Sequence, residues 1–81
     1  MSVATAARMV MEERPKYRLL TTAERQVADY IMQGCRNKEI AQHLGTTEQV
    51  IKNRVRNIML KLCLDTRVEV AVTLVTEQLG K

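Results

Sequence analysis

The chain has 81 residues and a formal net charge of +4, which predicts one small domain rather than several. Cys35 and Cys63 lack a C-x-x-C spacing and His43 is the only histidine, so neither a disulfide framework nor a zinc site is expected. The positive charge is concentrated in residues 36–62, which carry six basic and two acidic side chains. A local basic surface of this kind indicates a polyanionic partner, although a solvated basic face without a partner has the same composition.

Nothing along the chain has the pattern of a catalytic site. The sequence shows no pair of carboxylates, nucleophile–base set or glycine-rich phosphate loop, so we expect neither an enzyme nor a cofactor. The apolar stretch over residues 3–11 is short, Arg8 interrupts it and no basic segment precedes it, which argues against a signal peptide or a membrane span. We therefore expect a cytoplasmic protein with no membrane partner and no small-molecule substrate.

The single proline, Pro15, divides the chain into two parts. The residue before a proline avoids helical geometry, so Arg14 is predicted as a boundary. Residues 1–18 are interpreted as an N-terminal arm, whose alanines and methionines favour helix. A short helix and a frayed arm both remain open for this segment. The main domain is predicted over residues 19–81.

Two helices are predicted in the first half of this domain. Thr21 and Glu24 have the spacing of a capping box, which starts a first helix that ends near Gln33. Gly34 follows as a left-handed stop. A second, short helix is predicted over residues 37–44, and the next glycine terminates it.

Two further helices follow, and no segment has the alternation of a strand. Thr46 and Thr47 offer a cap for a third helix over residues 48–62. Thr66 and Glu69 have the spacing of a second capping box, and the fourth helix that they open is predicted to end near residue 80. The predicted fold class is therefore all-α, with four helices behind the arm.

The third helix separates into one apolar and two polar faces when it is placed on a helical wheel. The apolar stripe comprises Ile51, Val55, Ile58 and Leu62. One polar arc, called here the reading arc, comprises Gln49, Lys52, Asn53 and Arg56. Arginine and lysine match guanine in the major groove, and asparagine and glutamine match adenine, so these side chains are candidate base contacts. An ordinary amphipathic helix with a solvated face is the alternative.

The segment before the third helix favours the nucleic-acid interpretation. The short second helix presents Ile40, Ala41 and Leu44 on one side, and Gly45 opens a tight turn into the basic helix. A short helix, a tight turn containing glycine and a longer basic helix make up a helix-turn-helix motif. In this motif the second helix enters the major groove of DNA.

A specific combination of residues extends over residues 20–78. Its members are Leu20, Thr21, Glu24, Arg25, Val27, Gly34, the run Asn37-Lys38-Glu39-Ile40-Ala41, Leu44, Glu48, Ile51, Lys52, Val55, Ile58, Lys61, Leu62, Arg67 and Glu69. This combination resembles the LuxR-type DNA-binding domain. That family forms the carboxy-terminal domain of many bacterial response regulators and quorum sensors, and it also occurs as small free-standing regulators.

The resemblance implies a four-helix fold whose third helix reads duplex DNA. It implies base contacts from Lys52, Asn53 and Arg56, in agreement with the wheel, and a protein associated with the bacterial nucleoid. Phosphate contacts are implied for Thr47, Arg54 and Lys61, and for Lys38 near the start of the second helix. Arg36 is not part of the family pattern, but its added charge is expected to strengthen phosphate binding. Since Arg36 stands where the family usually has a serine or threonine cap, Asn37 is predicted to cap the second helix instead.

The fourth helix has two apolar arcs, which predict a core face and an interface. Val68, Ala71, Val72, Val75 and Leu79 are predicted to pack on the core. Val70 and Leu74, with Glu77 near by, are predicted to form a homodimer interface, because an exposed apolar patch often marks one. Coverage of this second arc by the N-terminal arm is the alternative. A two-fold dimer would place two reading helices on a roughly palindromic operator.

Two other functions remain open at this stage. Residues 20–62 are also similar to the promoter-reading module of bacterial sigma factors, in which case the fourth helix would face RNA polymerase. The fold could also serve as a protein-interaction module that has lost DNA binding.

Overall fold

The computed structural model describes residues 15–79, and every regular element in that range is a helix. The helices are α1 (Pro15–Arg18), α2 (Thr22–Met32), α3 (Asn37–Leu44), α4 (Glu48–Leu62) and α5 (Arg67–Leu79). The four helices predicted for the main domain are therefore α2 to α5, and the all-α fold class is confirmed. Within residues 15–79, none of the helices is long and apolar enough to cross a membrane. The predictions for residues 1–14 and for the end at residue 80 lie outside the described residues.

The helix starts follow the predicted caps except at α3 and α5. At α5 the predicted capping box is half formed, because Thr66 Oγ1 accepts from the Glu69 N–H at 3.1 Å but the Glu69 carboxylate accepts from the Thr66 hydroxyl. The capping box at α2 is confirmed, because Thr21 Oγ1 accepts from the Glu24 N–H at 3.2 Å and Glu24 Oε1 accepts from the Thr21 N–H at 2.8 Å. Thr47 caps α4 by accepting from the Val50 N–H at 3.2 Å. The prediction that Asn37 caps α3 is wrong. Asn37 is the first residue of that helix, and its side chain accepts a hydrogen bond from α5 instead.

Three helices end in a residue with left-handed backbone geometry. Gly34 after α2 and Gly45 after α3 have φ of +85° and +66°, as their role as helix stops requires. After α4 the same geometry falls on Cys63, with φ of +56°. An L-residue with a Cβ atom adopts this conformation at a cost, so α4 ends at a strained position.

One hydrophobic core joins α2, α3, α4 and α5. The apolar stripe predicted for the third helix is confirmed, since all four of its side chains are buried. They pack with buried residues of the other elements: Leu20, Val27, Ala28, Ile31, Ile40, Ala41, Val70 and Leu74. The turn between α3 and α4 is thereby held against the core on both sides, which fixes the angle between the two helices.

The two apolar faces of α5 are oriented opposite to the prediction. Val70 and Leu74 are fully buried, at 0% exposure, whereas Val72 and Leu79 are 60% and 76% exposed. Val68 is also exposed, and Ala71 and Val75 are half-buried. The wheel separated the two arcs correctly, but the number of apolar side chains does not determine which arc faces inward. The narrower arc faces inward because it fits between α2 and α4.

The short helix α1 attaches the start of the described chain to this core. The Glu77 carboxylate accepts from the N–H groups of Lys16 and Tyr17, at 3.1 and 3.4 Å. Tyr17 also donates from its hydroxyl to Asp29 Oδ1 at 2.9 Å, which ties α1 to α2. The predicted interface role of Val70 and Leu74 is wrong because both side chains are fully buried, whereas that of the half-buried Glu77, which binds α1 within the same chain, stays a prediction.

Candidate nucleic-acid interface

The helix-turn-helix unit of the structure consists of α3, the turn from Gly45 to Thr47, and α4. Ile40 and Ala41 of α3 and Ile51 of α4 are buried, so both helices turn an apolar side to the core. The opposite side of α4 is left facing solvent over its whole length. A helix held in this way can enter a groove without losing its packing.

The reading arc of α4 lies on this solvent side. Gln49, Lys52, Asn53 and Arg56 are all exposed, so none of the predicted base-reading side chains is turned inward. Gln49 Nε2 donates a hydrogen bond to Asn53 Oδ1 at 3.1 Å. The arrangement presents two cations and two amides along about two turns of helix, and its use as a base-reading surface stays a prediction.

The predicted phosphate contacts have different surroundings. Arg36 and Lys38 are exposed at the start of α3, and Thr47 is exposed at the start of α4, where its hydroxyl oxygen is engaged in the cap. Arg54 is half-buried on α4. These placements are compatible with contacts to a DNA backbone on either side of the reading arc.

Lys61 differs from the other predicted phosphate contacts because it is already paired. Its ammonium lies 2.7 Å from Glu24 Oε1, in an ion pair that joins the end of α4 to the start of α2. Burial alone raises the pKa of the Glu24 carboxyl, but the hydrogen bonds from Lys61 and Thr21 outweigh it and hold that pKa below its ordinary value. Part of the charge of Lys61 is therefore neutralised within the domain.

A basic groove lies between the starts of α3 and α4. It is lined by Arg36, Asn37, Lys38, Glu48, Lys52 and Arg67. Four of these side chains are cationic and one is anionic, so the groove carries a net positive charge. It places the reading residue Lys52 beside the two predicted phosphate contacts of α3, on one continuous surface.

Arg67 forms the back of this groove and has a role that the sequence analysis did not assign. Its guanidinium donates to Asn37 Oδ1 and to the Cys35 carbonyl oxygen, so the first residue of α5 holds the start of α3. Burial lowers the pKa of this guanidinium, yet an arginine stays charged at neutral pH. The only sequence signal for it was its place in the motif that resembles the LuxR type.

The outward face of α5 is the main exposed apolar surface of the described chain. It comprises Val68, Ala71, Val72, Val75 and Leu79, and is called here the outer α5 face. These residues were predicted to be core, but in the structure they lie on the solvent side of α5, opposite Val70 and Leu74.

A comparison with known protein families identifies the family of this helix-turn-helix domain. Residues 18–74 match the family described as "Bacterial regulatory proteins, luxR family". The chain belongs to this family. The matched range contains the whole helix-turn-helix unit and most of α5, and the resemblance predicted from the sequence is thereby confirmed.

The relatives of this luxR-family domain differ in the share of their length that the domain covers. It is 43% identical over 53 residues to the nitrate/nitrite response regulator protein NarL of Escherichia coli strain K12, and these residues are 65% of the chain and 24% of NarL. It is 38% identical over 56 residues to the spore germination protein GerE of Bacillus subtilis, covering 69% of the chain and 76% of GerE. The domain thus spans about a quarter of NarL but most of GerE. No solved structure matches it significantly.

Proposed function

We propose that this luxR-family domain binds duplex DNA sequence-specifically as a homodimer and regulates transcription, with α4 in the major groove. The observation that carries the proposal is the division of α4 into a buried apolar stripe and an exposed arc that carries Lys52 and Arg56. A protein of this kind would act at the bacterial nucleoid.

The division of labour within the interface follows from the chemistry of DNA. Phosphate contacts supply affinity that does not depend on sequence, and base-edge contacts supply specificity. Arg36 and Lys38 line the basic groove, which supports the first role for them, and the exposure of the reading arc supports the second. The helix-turn-helix geometry supports this assignment, because the start of α3 and the exposed side of α4 share one surface.

The homodimer is proposed through the outer α5 face. Val72 and Leu79 are 60% and 76% exposed, and burying them against the same face of a second copy removes apolar area from water on both chains. A two-fold dimer would place two α4 helices on half-sites separated by about one turn of DNA, or 34–36 Å. The sigma-factor alternative assigns this face to RNA polymerase, so the oligomeric state separates the two.

Competition binding tests the reading role of α4. Lys52→Ala is expected to weaken binding to the preferred duplex by about ten-fold or more, and to change binding to random duplex much less. Lys38→Ala is the matched control, since it also removes one exposed lysine and is expected to weaken both alike and reduce the slope of affinity against salt by about one. If Lys52→Ala leaves the ratio of affinities for the preferred and the random duplex unchanged, the assignment of α4 as the base-reading helix is contradicted. Failure of the wild-type domain to bind any duplex at low salt would support the protein-interaction alternative instead.

Sedimentation tests the dimer. Val72→Asp places a charge on the outer α5 face and is expected to give a folded monomer, because a buried unpaired charge opposes association. Gln26→Asp adds the same charge to an exposed position on α2 and is expected to leave the dimer intact. Equal sedimentation of wild-type protein and Val72→Asp, both as monomers, would contradict dimerisation through this face.

A further inference from the structure

The two amide side chains of the reading arc are bonded to each other. Gln49 Nε2 donates to Asn53 Oδ1 at 3.1 Å, and the two residues stand one helical turn apart on the exposed side of α4. The bond uses one Gln49 Nε2 hydrogen and one lone pair of Asn53 Oδ1, and the other polar groups of the two amides stay available. Asn53 keeps its Nδ2 hydrogens, which are donors, and Gln49 keeps its Oε1, which is an acceptor.

This bond restricts the base that Asn53 can select. An unrestrained asparagine matches adenine with both of its polar atoms, because the oxygen accepts from N6 and the amide nitrogen donates to N7. In this structure the oxygen of Asn53 is directed along the helix toward Gln49, so its amide nitrogen is the atom available to contact a base in the major groove. The side chain then acts as a donor rather than as a donor–acceptor pair.

We propose that Gln49 sets the base preference of Asn53, directing its amide nitrogen toward the base so that it selects guanine or thymine over adenine or cytosine. Guanine and thymine carry carbonyl acceptors, O6 and O4, at the groove position where adenine and cytosine carry amino donors, so an amide nitrogen directed at that position, rather than at the N7 acceptor that adenine shares with guanine, separates the two groups of bases. This inference rests on the proposed function, since it requires α4 to lie in the major groove.

The rest of the reading arc supports the same preference. Lys52 and Arg56 are donors without acceptor capacity, and they lie on the same arc as Asn53. With the Asn53 oxygen directed at Gln49, the groups that this arc presents are mainly donors: the Lys52 and Arg56 cations, the Asn53 amide nitrogen and the second Gln49 Nε2 hydrogen, beside the Gln49 Oε1 acceptor. A donor-rich surface is complementary to a half-site rich in carbonyl-bearing bases on the contacted strand.

Two substitutions at position 49 change the orientation of Asn53 in different ways. In Gln49→Glu the carboxylate only accepts, so it must take a hydrogen from Asn53 Nδ2, which turns the Asn53 oxygen toward the base. That oxygen accepts from the amino group of adenine or cytosine. In Gln49→Met no amide is present, so Asn53 is free to make the two-bond contact with adenine. Gln49 is exposed, so both variants are expected to keep the wild-type melting temperature.

The experiment is selection of bound sequences from a random duplex pool, with wild-type protein, Asn53→Ala, Gln49→Glu and Gln49→Met. The base pair read by Asn53 is identified as the one whose preference disappears in Asn53→Ala. At that pair we expect wild-type protein to prefer one orientation by about three- to ten-fold, the worth of one or two hydrogen bonds. Preference ratios are compared rather than affinities, because Gln49→Glu adds a negative charge that weakens binding to every duplex.

Gln49→Glu is expected to reverse the preferred orientation of the base pair that Asn53 reads, exchanging G·C for C·G or T·A for A·T. Gln49→Met is expected to select adenine on the contacted strand. The same pair in the same orientation for wild-type protein and Gln49→Glu would overturn the inference while leaving DNA binding by α4 intact. A selection in which Asn53→Ala alters no base pair would overturn it as well. If wild-type protein enriches no sequence at all, the proposed function itself fails, and the inference with it.

Discussion

Lys61 and Glu24 form an ion pair of 2.7 Å across 37 positions of sequence, and it links the last turn of α4 to the first turn of α2. Glu24 is buried, whereas Lys61 is partly exposed. The same carboxylate also completes the capping box by accepting from the Thr21 N–H. One side chain therefore fixes the start of α2 and the far end of the helix that is proposed to read DNA.

The ion pair between Lys61 and Glu24 predicts that the free energy of unfolding falls in acid, as the Glu24 carboxylate is protonated. The pKa of Glu24 lies below its ordinary value in the folded chain, because the hydrogen bonds from Lys61 and Thr21 outweigh burial. Its contribution is therefore complete above the unfolded pKa of about 4.3, and is lost as the pH falls through the lower, folded pKa. Glu24→Gln keeps a capping side chain but loses the charge, and should lower the free energy of unfolding at pH 7 by about 1 kcal/mol.

Urea unfolding of wild-type protein and Glu24→Gln at neutral and acid pH measures this effect. The difference between the two proteins should shrink as the pH falls below about 4.3 and through the lower, folded pKa of Glu24, because the wild-type carboxyl then becomes protonated as well. Glu39→Gln is a suitable control, because Glu39 completes an exposed cap on α3 without a lysine partner in the described residues. A difference that stays constant with pH would show that the loss comes from the shape of the side chain rather than from its charge.

Local features of this fold could be predicted from the sequence, and the pairing of distant residues could not. The capping box at Thr21 and Glu24 was predictable because its partners are three residues apart, and the stripe of α4 because helical geometry fixes its period. The partnership of Glu24 with Lys61 depends on how α2 and α4 cross, which no local pattern encodes. The same reason explains why the contact between Arg67 and Asn37 was not anticipated.

The faces of α5 show a second limit of sequence reasoning. Both arcs of this helix are apolar, so the hydrophobic pattern specifies two candidate inner faces rather than one. Burial of Val70 and Leu74 is settled by the space available between α2 and α4, and by Glu77, which binds α1 on the same side. For the candidate site, the residues of the reading arc could be predicted, but the bond between Gln49 and Asn53 depends on side-chain orientation.

Arg67 is predicted to hold the start of α3 through the shape of its guanidinium as well as its charge. Arg67→Ala leaves the Cys35 carbonyl and the Asn37 side chain without this donor, and should cost about 1–3 kcal/mol of stability. Arg67→Lys keeps the charge but loses the planar fork that reaches two acceptors, so it should restore only part of the loss. Denaturant unfolding measures the stability of both Arg67 variants, and for Arg67→Ala, Asn37→Ala and the double variant with both changes it gives the coupling energy between the two residues. A coupling energy indistinguishable from zero would mean that the contact adds nothing to stability.

Cys63 is predicted to be a position where glycine stabilises the domain. Its φ of +56° lies in the left-handed region, and its side chain is exposed, so removing that side chain loses little packing. Cys63→Gly should raise the free energy of unfolding by about 0.5–1 kcal/mol, since glycine adopts this conformation without the steric cost of a Cβ atom. Cys63→Ala retains the Cβ atom and should leave stability unchanged. Thermal unfolding compares the two under reducing conditions, and a gain in the alanine variant equal to that in glycine would assign the effect to loss of the thiol.

The opposite environments of Leu74 and Leu79 predict opposite responses to the same truncation. Leu74 is fully buried between helices, so Leu74→Ala should lower the free energy of unfolding by about 2–5 kcal/mol. Leu79 is 76% exposed in the single chain, so Leu79→Ala should leave that free energy nearly unchanged at protein concentrations low enough to keep the chain monomeric. At higher concentration the Leu79 variant should lose stability relative to wild type, because it weakens the proposed dimer, whereas the Leu74 deficit is present at every concentration. Urea titrations over about a hundred-fold range of protein concentration separate the two effects. A large loss of stability in Leu79→Ala that does not depend on protein concentration would show that this side of α5 packs in the core of the single chain.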